Sequence, residues 1–287
     1  MKPISTAFII GDTEKITHLL PPSPLKMVGN GDFNAMRKIL IRLSSVVNGT
    51  TMGFLVGQNG NIHSIRKMSI DISGDFPTNR LLDGVNRRYA AISKITDAMI
   101  FYISSISNHV AVFNGGEMVG RYKDGDWQPT DYLGLEKILN EKADEKGIVH
   151  YVIEKVGRVA IRMADLHEGG IFIVFDKGNA IKECYNDSLK TLSVEIAVDS
   201  IRDISDDDLL NFAKEDGAVL IDNKGNLHAI MAFLKLQHGE QLNHDPGIGT
   251  RHFSAQVLSK NLNCLGIVIS QDGAITLYYN GENIFKI

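Results

Sequence analysis

Cysteine is nearly absent from this chain. Its 287 residues include only Cys184 and Cys264, far apart and outside any metal-ligand spacing. That excludes a disulfide scaffold and a zinc ribbon and suits a reducing compartment. Basic residues are in no excess either: 30 Lys and Arg stand against 34 Asp and Glu, a formal net charge of −4. A general nucleic-acid or membrane-surface binder carries a basic surplus to meet phosphates, so that class is excluded, while local basic pockets stay open. No segment approaches the roughly 18 apolar residues of a membrane span. The apolar run at the N-terminus is too short for a signal peptide. The expectation is a soluble, cytoplasmic protein with no membrane contact.

What is present is ordinary globular composition, 44% hydrophobic and 22% charged, enough for a sizeable core and without a long disordered stretch. The length predicts about two domains. Thr6 to Ile10 is a short apolar run stopped by Gly11-Asp12, a buried strand. Pro21, Pro22 and Pro24 break regular structure. Asp32 to Val47 has helical spacing with Asp32 as N-cap. The runs either side of Asn59-Gly60 form a hairpin. Further strands are expected over 99–103, 109–113 and 171–175, and helices over 87–94, 133–146 and 148–166, the last with Gly169-Gly170 as its stop. Ser205 before Asp206-Asp207-Asp208 reads as an N-cap with acidic residues at the positive helix end, and the aspartates as capping and solvation. Strands 219–221 and 227–233, a helix over 251–260, a strand over 265–269 and a final hairpin complete the chain.

The chain repeats itself. Gly53 to Ile65 lies on Ala218 to Ile230 without a gap, with Asn59-Gly60-Asn61 on Lys224-Gly225-Asn226 and His63 on His228. Further on, Arg87-Arg88-Tyr89 aligns with Arg251-His252-Phe253, and Ile92-Ser93-Lys94 with Leu258-Ser259-Lys260 after a two-residue deletion. Asn114-Gly115 then aligns with Asn280-Gly281. The matched order argues for duplication. Thr51-Met52-Gly53 stands where the second copy has Asp216-Gly217-Ala218, and Arg88 and Tyr89 replace His252 and Phe253, so chemistry belongs to the second copy. The expected fold class is α/β, two tandem related domains at 1–130 and 131–287, each a mixed central sheet flanked by helices.

Two motifs carry the chemistry: Asp216-Gly217-Ala218 opening a strand, and Gly247-Ile248-Gly249-Thr250-Arg251-His252 opening a helix. Each also has a plainer local use. Asp-Gly before a strand makes a turn, Gly-x-Gly-Thr before a helix makes a loop with a threonine cap, Arg251 suits a surface ion pair, and His252 a partly buried, satisfied histidine. Together, in this order and followed by Val268-Ile269-Ser270, they resemble the Asp-Gly-Ala and Arg-His-Arg signatures of the diadenylate cyclase (DAC) domain family, to which the DNA-integrity scanning protein belongs. The resemblance covers about residues 135–287, with a degenerate echo in 1–130.

The resemblance implies that two ATP molecules condense to cyclic di-AMP at a face-to-face contact between C-terminal domains of two chains, a homo-oligomer. It implies Asp216, Arg251 and His252 as catalytic residues, with Asp216 also holding Mg²⁺ or Mn²⁺. It implies Gly217, Ala218, Leu234, Gly249, Thr250, Ser270 and Gln271 as nucleotide-binding residues, Gly217 letting backbone approach the ribose. Two positions depart from the family pattern. Phe253 replaces the last arginine of Arg-His-Arg, and Gln271 replaces the glutamate of Ser-Glu, with Asp272 one residue on. Both changes weaken turnover more than binding. The alternative to a cyclase is therefore an impaired sensor of ATP or cyclic dinucleotide, and a third reading is a structural tandem in which one copy occludes the other.

Overall fold

The computed structural model describes residues 5–19, 25–26, 52–58, 60–67, 78–104, 109–123, 125–175, 199–234 and 249–287. The helix expected over 32–47, the proline break at 21–24, and Thr51, Asn59, Cys184 and the loop through Gly247-Ile248 lie outside these residues. The chain divides into two compact units, Met1–Leu133 and Gly134–Ile287. Each is an α/β unit built on a mixed sheet flanked by helices.

In the first unit the strands are β1 (Thr6–Gly11), β2 (Leu25–Lys26), β3 (Met52–Gly57), β4 (Ile62–Lys67), β5 (Met99–Ile103), β6 (Val110–Asn114), β7 (Glu117–Lys123) and β8 (Asp126–Pro129). They join in the order β2-β4-β3-β1-β5-β6-β7-β8, with β1 and β3 parallel. Strand β8 was not expected from the sequence because Pro129 reads as a breaker. It survives because it is the edge strand, where a missing N–H costs no ladder bond. Among the described residues two helices belong here, α1 (Thr13–Leu19) and α2 (Gly84–Thr96). The first, short and placed directly after β1, has no clear periodic signal of its own.

The second unit holds α3 (Tyr132–Lys146, beginning at the boundary), α4 (His150–Leu166), α5 (Asp206–Lys214) and α6 (Thr250–Asn261). Its strands are β9 (Gly170–Phe175), β10 (Ala218–Asp222), β11 (Leu227–Ala232), β12 (Leu265–Ile269), β13 (Ile275–Tyr279) and β14 (Glu282–Lys286), ordered β11-β10-β9-β12-β13-β14. Every residue of β9, β10, β12 and β13 is buried, which is why those segments read as unbroken apolar runs.

Helix α4 forms despite its valines and isoleucines because packing overrides propensity. Val152, Val156, Val159 and Met163 fall at helical spacing and are fully buried, each contributing about 1.5–3 kcal/mol by leaving water. It ends not on Gly169-Gly170 but at His167, which takes the left-handed position with φ 56°. Ser205 caps α5 as expected, its Oγ accepting from Asp208 N at 3.0 Å. The three aspartates do more than cap and solvate. Arg158 of α4 grips Asp206 with two hydrogen bonds, 2.6 and 3.2 Å, and Arg162 bonds Asp207, tying α5 to α4.

The six strands of the second sheet have counterparts in the first, β4-β3-β1-β5-β6-β7, in the same order and with the same parallel and antiparallel partners. Registers agree as well. Gly60 and Gly225 sit at φ 80° and 86°, and each donates its N–H to the last residue of the preceding strand. Helices α2 and α6 align through their ends. Ser93 Oγ accepts from Gly116 N and Ser259 Oγ from Gly281 N, both at 3.0 Å, and the left-handed Asp97 and Asn263 follow at the same spacing.

These anchors correct two parts of the sequence alignment. The hairpin turn opposite Asn280-Gly281 is Gly115-Gly116, not Asn114-Gly115. Along α2 and α6 the same number of residues separates the N-caps, Asp83 and Gly249, from the serines, so no two-residue deletion exists inside the helix. A continuous helix cannot absorb one without rotating every later side chain off its face. The counterparts of Arg251 and His252 are therefore Val85 and Asn86, not Arg87 and Arg88. Tyr89 stands opposite Ala255, Tyr102 opposite Val268 and Phe113 opposite Tyr278. In the first unit Tyr89 stacks on Tyr102 at 4.7 Å and meets Phe113 at 5.8 Å between ring centroids.

Candidate functional site

A cavity of about 560 Å³ opens in the second unit where the end of β12, the start of β10, the end of β11 and the N-terminus of α6 converge. It lies in the range of small-molecule pockets, about 300–1,000 Å³. Asp216, Gly217, Leu234, Gly249, Thr250, Arg251, His252, Ser270 and Gln271 all line it, so the two sequence motifs meet in space. One expected residue does not belong to its lining. Ala218 is fully buried in the core beneath, because in a strand its side chain points to the face opposite Gly217 and Val219. Phe253 on α6 is also absent from the lining.

Among the described residues no side chain closes the N-terminus of α6. Its cap, Gly249, offers no side chain to the first-turn N–H groups, so donors that a helix end leaves unsatisfied face outward beside Thr250 and Arg251. The corresponding end of α2 is closed. Asp83 Oδ1 accepts from Val85 N at 3.1 Å and from Asn86 N at 2.8 Å, placing a resident carboxylate where an anion would dock.

Arg251 makes no ion pair among the described residues. Its guanidinium packs over Gly169, where a Cβ would come within 2.5 Å of Nη1. The stop signal Gly169-Gly170 thus contains a residue that seats the cation, which the sequence did not disclose. Gln271 lies on the same glycine, and its carbonyl meets His167 Nδ1 at 3.0 Å. Gly217 has φ 108°, and a Cβ there would lie 2.4 Å from the Met231 carbonyl carbon and 2.7 Å from its oxygen. Its glycine identity is fixed by the backbone of β11, a stronger demand than access for a ribose. Met231, at φ 53°, and Phe233 stand exposed beside it.

His252 occupies the first turn of α6. Its Nδ1 lies 3.1 Å from Tyr278 Oη and its Nε2 2.9 Å from Ser270 Oγ. Burial pushes the imidazole below its ordinary value, Lys286 adds to this, and Asp272 opposes it. Burial also pushes the Tyr278 phenol up. The shift favours the neutral imidazole, and the ring is held between two hydroxyls; Tyr278 is a site residue that sequence reading missed because a tyrosine within an apolar strand reads as core.

Among the described residues no three His, Cys, Asp or Glu side chains are grouped to hold a metal ion unaided. Asp216 is the exposed carboxylate at the cavity, while Asp272 is engaged in its own turn, accepting from Ala274 N at 3.1 Å. A single carboxylate suits Mg²⁺, which takes the rest of its shell from water and substrate phosphates. The donor set fits a cation that arrives with a nucleotide.

Comparison with known proteins agrees with this placement. The family model described as DAC, DisA bacterial checkpoint controller nucleotide-binding, matches residues 158–283. A diadenylate cyclase of Methanocaldococcus jannaschii is 32% identical over 72 residues, 25% of this chain and 23% of that protein, so the chain spans about a quarter of that relative's length. Among solved structures, a double mutant of DacA from Staphylococcus aureus aligns with TM-score 0.36 and 23% identity, over 50% of this chain and 87% of the other. A hypothetical membrane spanning protein from Bacillus cereus aligns with TM-score 0.37 and 18% identity, over 54% and 78%. Among the described residues of this chain no helix is long and apolar enough to cross a membrane. Residues 158–283, which contain every side chain lining the cavity, form a domain of the DAC family.

Proposed function

We propose that the second unit binds ATP in this cavity and that two such units, from two chains meeting face to face, condense two ATP into cyclic di-AMP. Each ribose 3′-hydroxyl attacks the α-phosphate of the other nucleotide. The bond to the β-phosphate breaks, pyrophosphate leaves, and the hydroxyl proton passes to solvent. The observation that carries this reading is the N-terminus of α6, which no side chain caps among the described residues, with Arg251 beside it making no ion pair among them, an arrangement suited to phosphate. Asp216 is the residue to hold Mg²⁺ or Mn²⁺, whose part is to neutralise phosphate charge. His252 bonds hydroxyls through both nitrogens and so acts on the site through Ser270 rather than as a free base. We assign no nucleotide to the first unit. We read it as a copy whose helix end is occupied by Asp83 and whose equivalent space is filled by Tyr89 and Tyr102.

A second reading is favoured by Gln271. It lines the cavity as an amide and supplies no charge to support a metal or an attacking hydroxyl, so the unit keeps the ligand and loses turnover. One experiment separates the two. The full chain is incubated with ATP and Mn²⁺, product is sought chromatographically, and binding is measured by calorimetry. Cyclic di-AMP that disappears in Asp216→Ala supports the cyclase. Binding without product supports the sensor, and neither binding nor product overturns both.

A further inference from the structure

The geometry points to Tyr278 as a positioning residue that acts through His252 to turn the Ser270 hydroxyl proton into the cavity. Three side chains from three elements form one chain of hydrogen bonds: Tyr278 on β13, His252 on the first turn of α6, and Ser270 just beyond β12. A neutral imidazole has one nitrogen that donates and one that accepts, so the chain can run in only two directions. The phenol decides between them. Its oxygen lone pair is delocalised into the ring, which makes the O–H a good donor and the oxygen a poor acceptor. Tyr278 is 5% exposed and among the described residues has no acceptor for its proton other than His252.

The direction follows. Tyr278 donates to Nδ1, Nε2–H donates to Ser270 Oγ, and the Ser270 proton is left to point at whatever fills the cavity. The backbone of Ser270 cannot swing to escape this. Its N–H donates to Ala274 O, and its carbonyl accepts from Gly273 N, both at 2.9 Å. A hydroxyl fixed as a donor selects an acceptor, such as a phosphoryl oxygen, over a donor group. This assignment of the ligand rests on the nucleotide reading above; the direction of the hydrogen bonds does not.

The first unit is an internal control. At the three equivalent positions it carries Phe113, Asn86 and Ser104. Phe113 supplies no hydroxyl, and Asn86 Oδ1 is buried without a hydrogen-bond partner among the described residues. The serine remains while the two groups that would orient it are gone, in the unit whose helix end is already closed by Asp83.

The test uses the full chain with ¹⁵N-labelled histidine. Long-range ¹H–¹⁵N spectra report which ring nitrogen carries the proton, and the His252 signals are identified by their loss in His252→Gln. The expected result is a proton on Nε2 in the wild type and a shift toward Nδ1 in Tyr278→Phe. ATP affinity should fall about fivefold in Tyr278→Phe, the worth of one hydrogen bond, with no further loss when Ser270→Ala is already present. A wild-type proton on Nδ1 overturns the proposal. So does an unchanged affinity in Tyr278→Phe when Ser270→Ala weakens binding. Failure of the wild type to bind ATP overturns the nucleotide reading instead, and the tautomer then decides the hydrogen-bond direction alone.

Discussion

Replacing Gly249 with aspartate should make the protein more stable and bind nucleotide worse, and the size of both effects follows from the first unit. There Asp83, at the same position, accepts from the N–H groups of residues two and three ahead at 3.1 and 2.8 Å. Gly249 has φ −61°, and among the described residues nothing lies within 4 Å of where its Cβ would stand, so the new side chain meets neither strain nor clash there. An aspartate cap exceeds glycine by a few tenths of a kcal/mol, and its charge at the helix N-terminus adds about 0.3–1 kcal/mol. A gain of about 1 kcal/mol raises Tm by roughly 2–4 °C in a unit of this size. Binding moves the other way. The carboxylate consumes two N–H donors, each worth about 1.5–3 kcal/mol to a charged acceptor, so a loss of about 3 kcal/mol, roughly a hundredfold in Kd, is the lower bound. Repulsion between carboxylate and phosphate enlarges it. Thermal melts and titration calorimetry with ATP read the two effects on one sample. Unchanged affinity alongside a raised Tm would refute an anion site at α6, and a lowered Tm would refute the open cap.

Gly217→Ala should instead lower stability. Its Cβ would sit 2.4 Å from the Met231 carbonyl carbon at φ 108°, a cost of about 3 kcal/mol and a Tm drop of roughly 6–12 °C; a melt within 3 °C or so of wild type would show that the glycine serves the ligand alone. Asp222 makes acid stability measurable. Burial pushes its carboxyl up, but the Asn226 amide, His228 and two backbone N–H groups outweigh this and hold it below the ordinary carboxylate value. Its contribution is therefore complete above the ordinary carboxylate value and is lost as pH falls from there through the lower folded value. In Asp222→Asn, denaturant titrations across that acid window should show a flatter dependence on pH. On the reading that Tyr89 and Tyr102 fill the equivalent space of the first unit, equilibrium dialysis should give one ATP per chain; two equivalent sites would contradict it.

Strands were the most legible part of the chain, because buried apolar runs and Asn-Gly or Gly-Gly turns state their own limits. Helix α4 was legible from spacing alone although its composition argued for a strand. The register between the corresponding helices α2 and α6 was not. Arg87-Arg88-Tyr89 imitates Arg251-His252-Phe253 in sequence, but position is set by caps and by a serine hydroxyl bonded to a distant glycine N–H, neither of which a linear comparison weighs. The motif residues at the cavity were legible because they are polar at element ends. Gly169 and Tyr278 were hidden for the opposite reason: one looks like a helix stop and the other like core, and each matters through a neighbour supplied by a remote part of the chain.

The glycine beneath Arg251 has a consequence for what a ligand must displace. Where a surface arginine is already paired with a carboxylate, an arriving anion must break that pair before it gains anything. Here the guanidinium is placed by shape, and among the described residues no carboxylate holds it. Among the described residues an incoming phosphate meets no protein carboxylate to displace. Added salt should therefore weaken binding smoothly as the Debye length shrinks, with no stretch in which it first frees the arginine from its own protein.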